Sequence, residues 1–587
     1  MRDVIVVGAG GGGPVVAKEL AAKGLDVLLL EGGPRHADLD KEWTHYENDA
    51  NNPLTGFLRF GPADRAKPAW YRETPQNSFL WQLSGVGGTT QHYFGNCPRA
   101  YPGSFAGYAG ADRNAYDVAH PFPFSYEEFV PYYEWVEATL PVQTAAMGTK
   151  EEVFFRGCEN LGLPVQTGKT TTRNSFRPQE NAILQPGGFA GKVAGNDREL
   201  RLAYPQSTGC TLCGYCIIGC SHPVKAPRNQ IAKRSTDNSY VPMALTADRW
   251  SPGGKRVELR TDAFVTQVHT EQRNGKTTAT GVTWRVGATG EKHREDAKVV
   301  VLAGGCTENP RLWLNSGLPN PNDWVGRGYT DHHFDWVFGT FDEYTGSSKG
   351  TGSSARSDWP GRGGVMNVGI PPALLSFTMA MSDSGIRGAY ANGRGPTGTW
   401  DGPAGRVLGN ELKDVMTHGI DRMFAMLIMT DDDVEAQNRT SLSALPADEH
   451  GSIAKLEMHQ RNRSARTVAN REFLVHRAVE IARAAGAAKV YRMDWAPIIL
   501  HVQSSMRMGH SETNSVLDEN GAARWVDGLY IADNSALPNS VSGANPTLSM
   551  QALSTRTAEK IFTSRFGGDP WVGREAPVVS TDPRVGA

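Results

Sequence analysis

The sequence predicts an α/β protein built on a Rossmann-like dinucleotide-binding domain. Three observations carry this: an apolar strand opens the chain, a glycine turn leads from it into a helix, and a second strand ends in an acid, DVIVVGAGGGGPVVAKELAAKGLDVLLLEGGP. The run Val4 to Val7 suits a parallel strand buried on both faces, and Val15, Val16, Leu20 and Ala21 give the next segment a helical stripe. Gly8, Gly10 and Gly13 supply G-x-G-x-x-G at the junction. Without side chains they permit a tight turn, approach of a pyrophosphate to backbone N–H groups, and close packing of helix on strand. Glu31 closes the second strand, where a carboxylate accepts hydrogen bonds from a ribose. A lone glycine motif is a weak signal, but strand, glycines, helix, strand and acid in order identify a dinucleotide site. FAD is the expected dinucleotide, because the motif opens the chain and a second flavoprotein-like strand, KVVVLAGG (Lys298 to Gly305), lies far downstream.

With 587 residues, there is material for about two to four domains or one large interleaved fold. Lys plus Arg (60) nearly cancels Asp plus Glu (62), so the bulk charge offers nothing to nucleic acid or an anionic membrane. No apolar run reaches the roughly 18 residues that cross a bilayer. The chain enters a strand at once, leaving no signal peptide to read, and cytoplasmic synthesis and folding is expected. The cysteines number seven, with four crowded between Cys210 and Cys220, which argues for thiolate chemistry rather than a disulfide framework.

Further along, strands are expected at Val337 to Phe341 and Phe424 to Met429, and a packing helix from Ala465 to Ala485 with Phe473, Val475, Ala478, Ile481 and Ala482 on its apolar side. Gly350 to Gly364 reads as a loop beside the active site. The tail after Phe566 reads as an extended strap or a disordered end.

Three segments resemble signatures of the glucose-methanol-choline (GMC) family of flavin-dependent alcohol oxidoreductases. They are LSGVGGTTQHYFG (Leu83 to Gly95), AGGCTENPRLWLNSGL (Ala303 to Leu318) and the stretch from His501 to Leu553. In the second, Pro310, Leu312, Leu314, Ser316 and Gly317 keep the expected spacing. The resemblance implies a discontinuous FAD-binding domain from residues 1–55, 80–125, 200–335 and 500–566. An α+β substrate-binding domain with lid segments, from 56–79, 126–199 and 336–499, would be inserted into it, and 567–587 would form the tail. It implies that Gly87, Gly88, Thr89 and Thr90, with Ala303 and Pro546, lie against the flavin, and that Asp533 lies near its phosphate or ribitol. His501 would be the general base and Asn545 the partner that orients the hydroxyl. An Asn cannot take a proton, which concentrates the base role on His501. His92 stands where some members attach the flavin covalently. TTQHYFG does not match those members closely, so a packing or substrate-side role is expected. His332 and His333 in YTDHHFDW resemble a segment that usually has one His before Pro, and a structural role at a domain junction is expected.

CTLCGYCIIGC has the spacing C-x2-C-x2-C-x3-C. Zinc normally takes two ligand pairs separated by a spacer that this run lacks. Bacterial ferredoxins share the spacing, although Ser221 replaces the usual Pro and no second run exists. Three readings stay open: a 4Fe-4S cluster on Cys210, Cys213, Cys216 and Cys220, a 3Fe-4S cluster on the first three, or a metal-free loop of buried thiols. The chain also resembles the cluster-bearing flavoprotein subunits of bacterial sugar and polyol dehydrogenases, which favours a cluster; it departs from them at the first cysteine pair. That resemblance implies a sugar, polyol or glycoside substrate, a cytochrome or other electron acceptor, a small chaperone-like subunit, and export to the periplasm with it. Two alternatives remain: an oxidase using O2 on a sterol or other alcohol, and an electron-transfer subunit without alcohol turnover. Trp70, Trp81, Tyr93, Trp336 and Trp359 offer faces for a sugar ring, with packing the expected role.

Overall fold

Val4 to Val7 form the middle of a seven-stranded sheet because both neighbours are equally apolar. Arg2–Val7 pairs in parallel with Val27–Leu30 on one side and with Lys292–Leu302 on the other. The computed structural model describes residues 1–35, 59–60, 70–74, 79–80, 82–144, 146–185, 209–220, 227–286, 290–372, 375–376, 379, 407–458, 463–493 and 498–586. Trp81 and Pro497 lie outside these, as does the tract 186–208.

The strand Lys292–Leu302 does two jobs. Its polar first half pairs antiparallel with Lys276–Val286, which forms a hairpin with Ala263–Arg273. Its apolar second half, from Ala297, joins the parallel core and pairs with Leu529–Ile531. Hydrophobic pattern alone therefore marks only the second half, from Lys298 onward. Glu258–Arg260 completes the sheet beside Val27–Leu30. The helix Gly13–Ala22 is buried along its whole length, because the helices Tyr240–Leu245 and Thr547–Phe566 cover what the sheet does not. Its charges are accommodated internally: Lys18 Nζ lies 2.8 Å from Glu19 Oε1, which also accepts from the Trp135 indole at 2.8 Å.

A second, antiparallel sheet of six strands runs Lys489–Arg492, Asp335–Thr340, Met423–Thr430, Gly363–Val368, Ala355–Trp359 and Ser175–Pro178. Side chains alternate across it. Val337, Val365 and Ile428 face the helices Thr149–Asn160 and Ala465–Ala484, whereas Trp336, Met366 and Leu427 point the other way, toward a cavity between the two sheets. The expected strands and helix at 337, 424 and 465 are therefore present with slightly different ends.

Two expectations are corrected or resolved here. Gly350 to Gly364 is not simply a loop, since Ala355–Trp359 and Gly363–Val368 are paired strands. Its small residues serve packing: a Cβ on Gly363 would sit 2.1 Å from the Met429 carbonyl oxygen. The tail is a strap. Trp571 and Val572 donate their backbone N–H groups to Glu559 at 2.8 Å, and Trp571 and Val585 are buried.

Candidate active site

The glycine motif divides into two kinds of position. A Cβ on Gly8 would lie 2.4 Å from the Ala303 carbonyl, and one on Gly13 would lie 1.9 Å from the Gly8 carbonyl, so these two allow chain to pack on chain. A Cβ on Gly10 would meet nothing within 4 Å. Gly10 borders a cavity that also takes in Gly8, Glu31, Gly88, Thr89, Thr90, His92, Ala303, Asp533, Asn545 and Pro546. A bare turn facing open space at the end of a parallel strand is what a dinucleotide needs. Glu31 is held on the wall by the N–H groups of Ala9 (2.7 Å) and Gly33 (2.8 Å). Burial pushes its carboxyl upward, against those hydrogen bonds.

The loop at residues 87–92 is pinned to the motif from across the chain. Thr90 donates to the Gly87 carbonyl at 2.6 Å, and Thr236 donates to the Gly10 carbonyl at 2.9 Å. A Cβ on Gly88 would lie 2.8 Å from the Gly10 Cα, so glycine meets glycine there. Asp533 accepts from the Gly305 N–H (2.7 Å), the Asn309 amide (2.8 Å) and the Ser535 N–H (2.8 Å). Its carboxylate is thus already engaged, tying the end of Leu529–Ile531 to the start of the helix Gly305–Asn315.

His501 and Asn545 meet at the same cavity. Asn545 precedes the helix Thr547–Phe566, whose N-terminal end, favourable to negative charge, forms part of the wall. Arg356 donates to Asn545 Oδ1 at 3.5 Å, which leaves the amide NH2 as the available donor. Arg356 is itself fully buried and held by Asp358. The His501 backbone N–H donates to Asp331 at 2.7 Å. Its ring stands between Phe334 and His332, with centroids 5.1 and 5.0 Å away. Burial, then His332 and Arg356, lowers its proton affinity well below the ordinary histidine range, so the ring is neutral near pH 7. The described lining of the same cavity also includes the apolar Phe94, Ile217, Trp336, Met366, Ile370, Leu427 and Leu500, with His92, Tyr93 and Asn96.

The four crowded cysteines all line one small cavity, together with Ile183, Tyr215, Lys233 and Gly350. None of the four forms a disulfide. Burial, then the neighbouring thiols, raises Cys210 strongly and pushes Cys213 up to about 12. Among the described residues no group of three or more His, Cys, Asp or Glu side chains is disposed around a single metal ion. The donor set is nevertheless soft, and Lys233 beside it is a buried ammonium bonded to the carbonyls of Gln91 (2.6 Å), Tyr93 (2.9 Å) and Cys216 (2.5 Å). Burial lowers the proton affinity of Lys233, against the pull of Cys216 and Cys220. Adjacent residues line the two cavities, Ile217 the larger and Cys216 the smaller, and the Ile217 carbonyl lies 3.0 Å from His92 Nδ1.

The sequence-predicted residues thus gather in two neighbouring places. Sequence reasoning missed the company His501 keeps. His332, expected to be structural, lies 3.0 Å from His501, ring nitrogen to ring nitrogen; the paired His of DHH was the available signal. Arg356 and Lys233 stand in segments whose pattern carries no such signal.

Residues 190–334 match the N-terminal domain of the GMC oxidoreductases and residues 420–554 the C-terminal domain. The chain is 27% identical to a 2-methyl-1,2-propanediol dehydrogenase of Mycolicibacterium austroafricanum, over 95% of each chain. It is 24% identical to the fructose dehydrogenase large subunit of Gluconobacter japonicus, over 95% of this chain and 97% of that one. With paromamine 6'-oxidase of Streptomyces fradiae it shares 25%, over 95% and 91%. In fold it is similar to the formate oxidase of Aspergillus oryzae, at a TM-score of 0.58 and 12% identity, over 96% and 99% of the two chains. The motif with its open Gly10, the pinned loop and both domain matches agree: this chain carries the N- and C-terminal domains of the GMC oxidoreductases, and the cavity that Gly10 borders fits FAD.

Proposed function

We propose that the protein is an FAD-dependent dehydrogenase that oxidises an alcohol group, with His501 as the base and Asn545 as the residue that orients the hydroxyl. The observation that carries this reading is a neutral, buried histidine sharing the wall of the dinucleotide cavity with an amide donor. FAD, when bound, supplies the hydride acceptor. A bare ring nitrogen of His501 takes the hydroxyl proton, and the Asn545 NH2 donates to the hydroxyl oxygen and holds it as its charge grows. Exclusion of water by the apolar walls strengthens both interactions.

The same walls bear on the substrate. A sugar presents hydroxyls on every side and needs polar partners for them, yet around Trp336, Met366 and Leu427 the described lining is mostly aromatic and aliphatic, with His92, Tyr93 and Asn96 as polar side chains. This favours a compact or elongated apolar alcohol, with sugars, polyols and glycosides as the less suited class. The thiol loop supports an exit for electrons through an iron–sulfur cluster on Cys210, Cys213 and Cys216, with Cys220 as a fourth ligand in the 4Fe-4S form. A haem or quinone partner would receive them. The relatives include an oxidase as well as dehydrogenases, so use of O2 with a metal-free loop is the second reading.

Both points are open to one experiment. Anaerobic mixing with short diols, alkanols, aryl alcohols, sterols and sugars should bleach the flavin fastest with the apolar alcohols, and the protein should contain iron and acid-labile sulfide. Bleaching by sugars alone would contradict the substrate class. Absence of iron with rapid peroxide formation in air would replace the dehydrogenase by the oxidase.

A further inference from the structure

Thr330 and Gln503 exchange backbone hydrogen bonds of 3.1 and 2.9 Å, which lays residues 330–332 antiparallel to 501–503. This brings the imidazoles of His332 and His501 together at 89°. His332 Nε2 stands 2.9 Å from the Ser540 carbonyl oxygen. A carbonyl only accepts, so that nitrogen carries the hydrogen and a neutral His332 has a bare Nδ1. The bare Nδ1 lies 3.0 Å from Nδ1 of His501. Two lone pairs at that distance repel, and only His501 is left to supply a hydrogen between them. A neutral His501 with its hydrogen on Nδ1 has its lone pair on Nε2. Burial of both rings, which lowers His332 to about 4, keeps them neutral.

We infer that His332 is a positioning residue: by accepting from His501 Nδ1 it fixes the tautomer that leaves Nε2 of His501 as the base for the substrate hydroxyl. The inference rests on the alcohol-oxidising reading above. The partner that orients the base here is a neutral imidazole rather than a carboxylate, with the Ser540 carbonyl completing the chain. In the step it serves, the substrate O–H bond breaks and an Nε2–H bond forms. His501 then carries the positive charge, still donating from Nδ1; FAD, when bound, would accept the carbinol hydride as the C–O bond becomes C=O. Phe334 against the His501 ring opposes a flip that would exchange the nitrogens. The titratable and charged groups near the pair are Asp331, which accepts from the His501 backbone and whose carboxyl burial pushes well above the usual range, and the cations Arg356 and Arg463.

Two variants and one spectrum test this on the flavin-loaded protein. Asn offers an amide oxygen near the position of Nδ1 and Leu offers no acceptor. H332L should retain the flavin colour yet be bleached by an alcohol about 100-fold more slowly than the parent, with the acid limb of its pH profile displaced from the parent's. H332N should recover to within about 10-fold. In the parent labelled with 15N-histidine, His501 should be protonated at Nδ1 and His332 at Nε2 at neutral pH. Parent-like bleaching and pH profile in H332L, or a His501 protonated at Nε2, would overturn the inference. Should H332L not fold, H332N and the 15N spectrum decide. If no alcohol bleaches the parent, the alcohol reading falls and the spectrum still decides the tautomer.

Discussion

His501 can serve as a base only while it is neutral, and its surroundings hold it so in three ways: burial, the His332 ring, and the charge of Arg356. All three disfavour the imidazolium, so its proton affinity falls below the ordinary histidine value of about 6.5. The sign follows directly. As pH falls, the base survives past the pH at which a free histidine would be protonated, and activity is lost only when the lowered value is crossed. The rate of anaerobic flavin bleaching should therefore be level from about pH 8 to below about 6.5, measured by stopped-flow absorbance; an acid limb centred at the ordinary histidine value would contradict this. In the proposed reading Asn545 donates to the hydroxyl oxygen, so N545A should slow bleaching by about 100-fold while leaving the flavin bound. At this scale His501, Asn545 and Glu31 were legible because each sits in a motif that states its neighbours. His332 was legible only as a histidine, since its partner stands 169 residues away and no local pattern links them.

The glycine turn makes the strongest prediction among the elements, because its glycines serve different ends. G13A drives a Cβ to 1.9 Å from a backbone carbonyl that cannot move aside, and G10A drives one into open space. G13A should lower the melting temperature or leave the protein insoluble. G10A should fold with a near-parent melting temperature when stripped of flavin, yet purify with less FAD per chain, read from visible absorbance against protein concentration. Equal FAD content in G10A would mean that the turn does not face the cofactor. The first strand, turn, helix and second strand were legible together because period, turn chemistry and the terminal acid all point to one unit. The strands Ala355–Trp359 and Gly363–Val368 were not, because small residues that look like a loop are required there by backbones packed within van der Waals contact. The polar half of Lys292–Leu302 was hidden for the opposite reason: its pairing lies on an exposed hairpin.

For the whole molecule the question is how two electrons leave. The larger cavity and the thiol cavity are lined by the adjacent residues Ile217 and Cys216, and Lys233 bonds to both the 87–93 loop region and the thiol loop. Replacing Cys213 by Ser should lower the iron content per chain and slow turnover with an external dye. Bleaching of the flavin by alcohol in a single anaerobic turnover should change little, since the proposed step involves His501, Asn545 and His332 and not the thiol loop. Equal iron content in C213S would remove Cys213 from the ligand set. The cysteine spacing announced the cluster question in the sequence. It could not reveal the buried lysine beneath it or the apolar chamber, because both arise from segments far apart in the chain. Among the described residues no helix is long and apolar enough to cross a membrane. The central claim is that His501 takes the substrate proton at the flavin, and anaerobic mixing of H501A with an alcohol that bleaches the parent tests it most directly. The account predicts a protein of unchanged colour whose flavin bleaches at least about 100-fold more slowly; bleaching at the parent rate would contradict it.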